Sequence, residues 1–130
     1  MRGRTPFATC RVSEKATAVA PDGSEARPLL SLVGGSFAHF TLRPGAASKA
    51  VEHKTVEEIW FVVKGAGEIW RSQDGREEIA EIGPGACLTI PLGCAFQFRC
   101  AGPEPLAFVA ITMPPWPGEG EAVARQGRWT

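Results

Sequence analysis

Histidine and glutamate are the side chains best suited to moving protons near neutral pH, and histidine is scarce in this chain. The 130 residues include two, His39 and His53. Five residues after His53 comes Glu58, which opens the run Glu58-Ile59-Trp60-Phe61-Val62-Val63, of strand-forming composition. An imidazole and a carboxyl within hydrogen-bond reach make a general base and a general acid, the combination used for enolisation, isomerisation, epimerisation, dehydration or cyclisation. The same two groups, satisfied by each other or by buried water, would do no chemistry. Cys10, Cys87, Cys94 and Cys100 show no Cys-x-x-Cys spacing and read as thiols. No serine stands in a Gly-x-Ser-x-Gly context, so a nucleophile-elbow hydrolase has no support. Gly65-Ala66-Gly67 and Gly83-Pro84-Gly85 lack the following helix that would cradle a phosphate.

The elements that must position His53 and Glu58 are short. Fifteen glycines and eleven prolines punctuate the chain too often for long helices, while 44% hydrophobic residues suffice for the core of one domain. Between the turn signals lie nine runs of strand length, at 29–33, 36–42, 47–53, 58–64, 68–72, 77–82, 86–90, 95–100 and 106–112, which predict an all-β sandwich or barrel. Asp74-Gly75 between two of them predicts a type I′ hairpin. Alternation puts Glu58, Trp60 and Val62 on one face with Glu57 on the other. Because the run after Glu58 is apolar on both faces, its second face expects either another sheet or a partner subunit, so a homodimer and burial within one chain explain it equally well. Residues 1–28 and 114–130 lack periodicity and read as an N-terminal arm and a Pro-rich tail flanking a barrel at 29–113.

Fourteen basic and fourteen acidic side chains cancel and are scattered, leaving no footprint for nucleic acid or an anionic membrane. No apolar run approaches the ~20 residues of a transmembrane helix, and no apolar run of signal-peptide length follows the basic N-terminus. The expected setting is the cytoplasm and the expected partner a small organic ligand.

Two stretches resemble the paired motifs of the cupin superfamily, small β-barrels related to jelly rolls. Gly45, Val51, His53, Glu58 and Gly65 fall at the spacing of the first motif, and Gly85, Pro91, Gly93, Phe96 and Cys100 at that of the second. The resemblance spans roughly residues 29–112 and implies a double-stranded β-helix with one cavity. It also implies a divalent-metal site of three histidines and a glutamate, of which His53 and Glu58 stand here, with Val51 and Phe96 in place of two histidines. Two protein ligands are one short of a usual catalytic site, so no metal is expected; if Fe, Mn, Ni or Zn binds, Cys94 or Cys100 on the inward face is the candidate third ligand. The expected cavity wall comprises Val51, Trp60, Val62, Phe96 and Phe98, with His39 and Arg43 reaching polar groups of a ligand. Pro114-Pro115-Trp116-Pro117 is expected either as a stiff lid over the barrel mouth or as a clasp on a neighbouring subunit. Three functions follow: a metal-independent acid/base catalyst (isomerase-, epimerase- or cyclase-like) using His53 and Glu58; a metal-dependent lyase, dioxygenase or isomerase with a reduced ligand set; and a non-catalytic ligand-binding or sensor barrel.

Overall fold

The computed structural model describes residues 4–130, and every regular element among them is a strand. They are β1 (Ala18–Val19), β2 (Glu25–Leu32), β3 (Gly35–Leu42), β4 (Val51–His53), β5 (Glu57–Lys64), β6 (Gly67–Gln73), β7 (Arg76–Ile82), β8 (Cys87–Ile90), β9 (Ala95–Cys100), β10 (Leu106–Met113) and β11 (Ala122–Ala124). Two antiparallel sheets face each other, one ordered β1-β2-β3-β10-β5-β8 and the other β11-β4-β9-β6-β7. The expected all-β barrel is what forms, and no helix is long and apolar enough to cross a membrane among the described residues.

The alternation read from the sequence decides which side chains fill the space between the sheets. Along β5, Glu58, Trp60 and Val62 are buried while Glu57, Ile59, Phe61 and Val63 face outward. Trp60, Val62, Phe96, Phe98, Leu106 and Phe108 are at most 2% exposed and form the centre of the core. β6 and β7 join through a two-residue turn in which Asp74 and Gly75 have φ of 50° and 82°, as the Asp-Gly pair predicts.

The sheets extend beyond the expected 29–113 core. β2 begins four residues earlier and pairs with β1 inside the arm, while β11 of the tail pairs with β4, Ala122 opposite His53. The run expected at 47–53 is ordered as strand only over Val51–His53. Upstream, Ser48 replaces regular pairing with its own groups: its amide donates to Phe98 O at 2.8 Å and its hydroxyl accepts from Phe98 N at 3.0 Å. The tail also covers the outer face of the second sheet, where the Gln97 side chain donates to Ser48 O and Trp129 O and accepts from the amides of Arg128 and Trp129.

Candidate active site

Glu58 and His53 reach the barrel interior from β5 and β4, on opposite sheets. Glu58 is held from two sides: Trp60 Nε1–H donates to Oε1 at 2.7 Å and the Thr112 hydroxyl donates to Oε2 at 3.2 Å. Thr112 arrives through the β5–β10 register, which sets it directly opposite Glu58. Behind the pair an aromatic stack crosses the first sheet, with Trp60 on Phe108 (centroids 3.9 Å apart) and Phe108 on Phe40 (5.2 Å). His53 is clamped between the edges of Phe96 and Trp116, at 5.3 and 5.2 Å. Its Nδ1 lies 3.9 Å from Glu58 Oε2, too far for a hydrogen bond, and this buried nitrogen has no partner.

These surroundings bring the two groups toward neutrality together. Burial pushes the Glu58 carboxyl up to about 7, with the nearby Asp22 adding to the rise, although the bonds from Trp60 and Thr112 pull it down. Burial lowers the His53 pKa, partly offset by the Glu121 carboxylate. Near pH 7 the site therefore holds a neutral imidazole and a carboxyl that keeps its proton about half the time.

The pair opens on a cavity of about 470 Å³ whose walls are mostly apolar. Val51, Trp60 and Phe96 line it as expected, joined by Phe40, Phe108, Thr112 and Trp116. Val62 and Phe98 do not reach it: they lie deeper in the core, fully buried. Arg43 and His39 also stand outside. Arg43 follows the inward-facing Leu42, so alternation turns it outward, where it is exposed. His39 pairs with Arg27 and Val109 on the outer face of the first sheet, while its neighbours Ala38 and Phe40 face the cavity. The tail places Trp116 over the cavity, its amide donating to Ser36 Oγ at 3.0 Å.

Two acidic residues in the flanks complete the surroundings. Asp22, in the turn between β1 and β2, lines the cavity and accepts from the Ser24 amide and hydroxyl at 2.9 and 2.6 Å, and burial raises its pKa. Glu121 accepts from the Thr55 hydroxyl and from the amides of Thr55 and Val56, which ties the tail to the turn between His53 and Glu58. Burial works to raise Glu121, but those bonds and His53 prevail and keep it below the ordinary carboxylate value. Pro21-Asp22-Gly23-Ser24 is legible as a turn; nothing in the sequence points either acid toward the site.

A family model for the cupin domain matches residues 38–112, more than half the chain and the span that carries both motifs. The chain belongs to the cupin superfamily. Its barrel is similar to that of an uncharacterised Klebsiella pneumoniae protein with a double-stranded β-helix domain (TM-score 0.71, 17% identity, 94% of this chain and all of that one). It is similar as well to a Bacillus halodurans protein (TM-score 0.66, 21% identity, 75% of each chain). A Lactobacillus farciminis oxalate decarboxylase, solved as a formate complex, superposes over 78% of this chain but only 31% of its own (TM-score 0.69, 18% identity). At these identities the likeness is one of fold. No curated protein matches the chain.

Many cupins hold a metal, but the residues present here do not assemble a ligand set. Among the described residues no three His, Cys, Asp or Glu side chains come together to hold an ion. Val51 and Phe96 offer carbon where the family's ligands would stand. Cys94 opens toward a separate cleft beside Arg71 and Gln73, with its thiol pKa raised chiefly by burial. Cys100 lies at the far end of β9, donating to Glu104 O at 3.2 Å. Neither lines the cavity of His53 and Glu58.

Proposed function

We propose that this cupin binds a small organic molecule in the barrel and that His53 and Glu58 act on it as a metal-independent acid/base pair, in a reaction of the isomerase, epimerase or cyclase kind. The observation that carries the reading is the buried, unpartnered His53 Nδ1, 3.9 Å from the Glu58 carboxyl, with both residues lining the same largely apolar cavity. With its proton on Nε2, His53 presents a lone pair at Nδ1. That lone pair removes a proton from carbon next to a carbonyl while Glu58 delivers its own proton to the carbonyl oxygen, giving an enol. Return of the two protons, one to carbon and one to Glu58, completes an isomerisation or epimerisation. Burial among the aromatic walls favours the proton-bearing form of the carboxyl, so that a substantial share of it is able to donate near neutral pH.

The test begins with elemental analysis of protein purified without chelator, since stoichiometric Fe, Mn, Ni or Zn would replace this reading with a metal-dependent one. Compounds that stabilise the protein are then incubated with it in D₂O. Enzyme-dependent deuterium uptake that falls by about 10²-fold or more in both His53→Ala and Glu58→Gln supports the pair. Binding without uptake by the wild type makes the protein a ligand-binding barrel only.

We also propose that a second copy of the chain covers the outer face of β3, β10 and β5. Ile59, Phe61, Val63 and Ile111 stay 43–48% exposed there, beside the half-buried Phe37, Val109 and His39. A face with an apolar centre of this kind, bordered by Glu57 and Arg27, can pair with itself under two-fold symmetry. From its margin the exposed segment 4–14 departs, fixed by Arg27, which donates to Ser13 O at 2.7 Å and Glu14 O at 2.9 Å. That segment, which has no regular secondary structure and a fully exposed Phe7, supplies an arm for a neighbouring copy.

A further inference from the structure

The polar inventory of the cavity is one-sided. Its ionisable lining residues are Asp22, His53 and Glu58, and no lysine or arginine reaches it among the described residues. Glu121 stands just behind His53, next to Ala122 in the β4–β11 register, and has no ion-pair partner among the described residues. Carboxylates taken out of water are ordinarily matched by a cation, because desolvation otherwise makes their ionisation costly. Here the protein supplies hydrogen-bond donors to Glu58 and Asp22 but no positive charge.

The groups at the polar end of the cavity define the chemistry of the missing partner. At 3.9 Å the two acceptors are too far apart to bond to each other. A ligand nitrogen carrying several hydrogens meets acceptors at this end of the cavity, because its ionisable lining groups are Asp22, His53 and Glu58. Trp60 Nε1 and the Thr112 hydroxyl occupy other positions around the carboxyl. The rest of the wall is Phe40, Phe96, Phe108 and Trp116, which suits an apolar or aromatic body and places π-faces and edges around a positive head group.

Resting on the reading of this cavity as a small-molecule site, we infer that its ligand is an organic amine bound as the ammonium ion, the nitrogen at the end of the cavity lined by the carboxyls of Glu58 and Asp22 and the apolar body against the aromatic wall. The inference separates this barrel from a carboxylate-binding one. An anionic ligand would meet the carboxyl groups of Asp22 and Glu58 and no cation, so its binding is disfavoured by the same inventory.

Three probes of nearly equal size distinguish the outcomes: 2-phenylethylammonium, 2-phenylethanol and phenylacetate, titrated by calorimetry and by thermal shift at one pH and ionic strength. The ammonium ion is expected to bind at least about ten-fold more tightly than the alcohol, and phenylacetate more weakly than either. Asp22→Asn and Glu58→Gln should each remove most of the ammonium preference while leaving the alcohol's affinity within about two-fold, and that retained affinity shows that the variants keep the cavity. Equal binding of the alcohol and the ammonium ion by the wild type overturns the amine inference and leaves the small-molecule reading intact. Preference for phenylacetate overturns it too. If none of the three binds, both the inference and the reading of the cavity fail.

Discussion

Glu58 joins the chemistry of the site to the stability of the fold. Its pKa is raised from 4.5 to about 7. The folded protein therefore holds a proton between those values that the unfolded chain has released. With the native state binding the extra proton, stability falls as pH rises through this window, and the ionised group costs on the order of 3 kcal/mol once it is complete. Glu58→Gln removes the charge while its amide keeps an acceptor for Trp60 and a donor for the Thr112 oxygen. The variant should match the wild type near pH 5 and exceed it by up to that amount at pH 8, as read from urea midpoints at the two pH values; an equal offset at both would disprove the raised pKa. His53 acts at the other edge: with its pKa lowered by burial, it contributes stability above the unfolded value near 6.5 that is lost as pH falls through the folded one. Glu121 works through position. Removing its carboxylate in Glu121→Ala leaves the Thr55 and Val56 amides without their acceptor, at a cost of about 2 kcal/mol. Its effect should also include altered contact between His53 and the tail, visible as a shift in the His53 imidazole NMR signals.

At the scale of elements, the turns carry information that packing then makes irreplaceable. Gly65, between β5 and β6, has φ of 85°, and a Cβ there would lie 2.8 Å from Leu106 Cα and closer still to Pro105 O. Backbone cannot yield as a flexible side chain does, so Gly65→Ala should cost at least about 2 kcal/mol, whereas Gly85→Ala, at a similar φ of 90° with open space around it, should cost only about 1. Chemical denaturation of the two variants measures the difference. Both glycines belong to the spaced motifs, which explains why the barrel was legible: turn residues are read locally, and the strand alternation follows from them. His53 and Glu58 were legible for the same reason, five residues apart across one turn. Thr112 and Asp22 were not, because they reach Glu58 only through the β5–β10 register and the folding back of the β1–β2 turn. The misplacement of Arg43 and His39 has the same origin: each has suitable chemistry, but the face it presents depends on a strand phase that Leu42 and Phe40 set by burial.

On the scale of the whole molecule, the first sheet has two apolar faces and only one core to cover. The inner face is packed against the second sheet, and the second sheet's outer face is capped by the chain's own tail through Gln97 and Trp129. Nothing in the described residues caps the outer face of β3, β10 and β5. Burying Ile59, Phe61, Val63 and Ile111 is favourable at roughly 25 cal/mol per Å² of apolar surface removed from water, although lost translational and rotational freedom offsets much of this. A second copy supplies the cover without a new kind of surface. Light scattering coupled to size exclusion should therefore report twice the 13.9 kDa chain mass at micromolar concentration. Phe61→Glu with Ile111→Glu places like charges opposite each other across the two-fold axis and should shift the mass to that of one chain. Deleting residues 1–14 should weaken the dimer without abolishing it, since the arm adds contact to a face that already meets its partner. His39 lies on this face with an unpartnered buried Nδ1 and a pKa lowered by burial and by Arg27. Covering it further lowers that pKa, so acidification toward pH 5 should promote dissociation, because the free face accepts the proton more readily than the covered one. A wild type that elutes as a single chain at every concentration and pH would show instead that the exposed stripe is tolerated by the monomer.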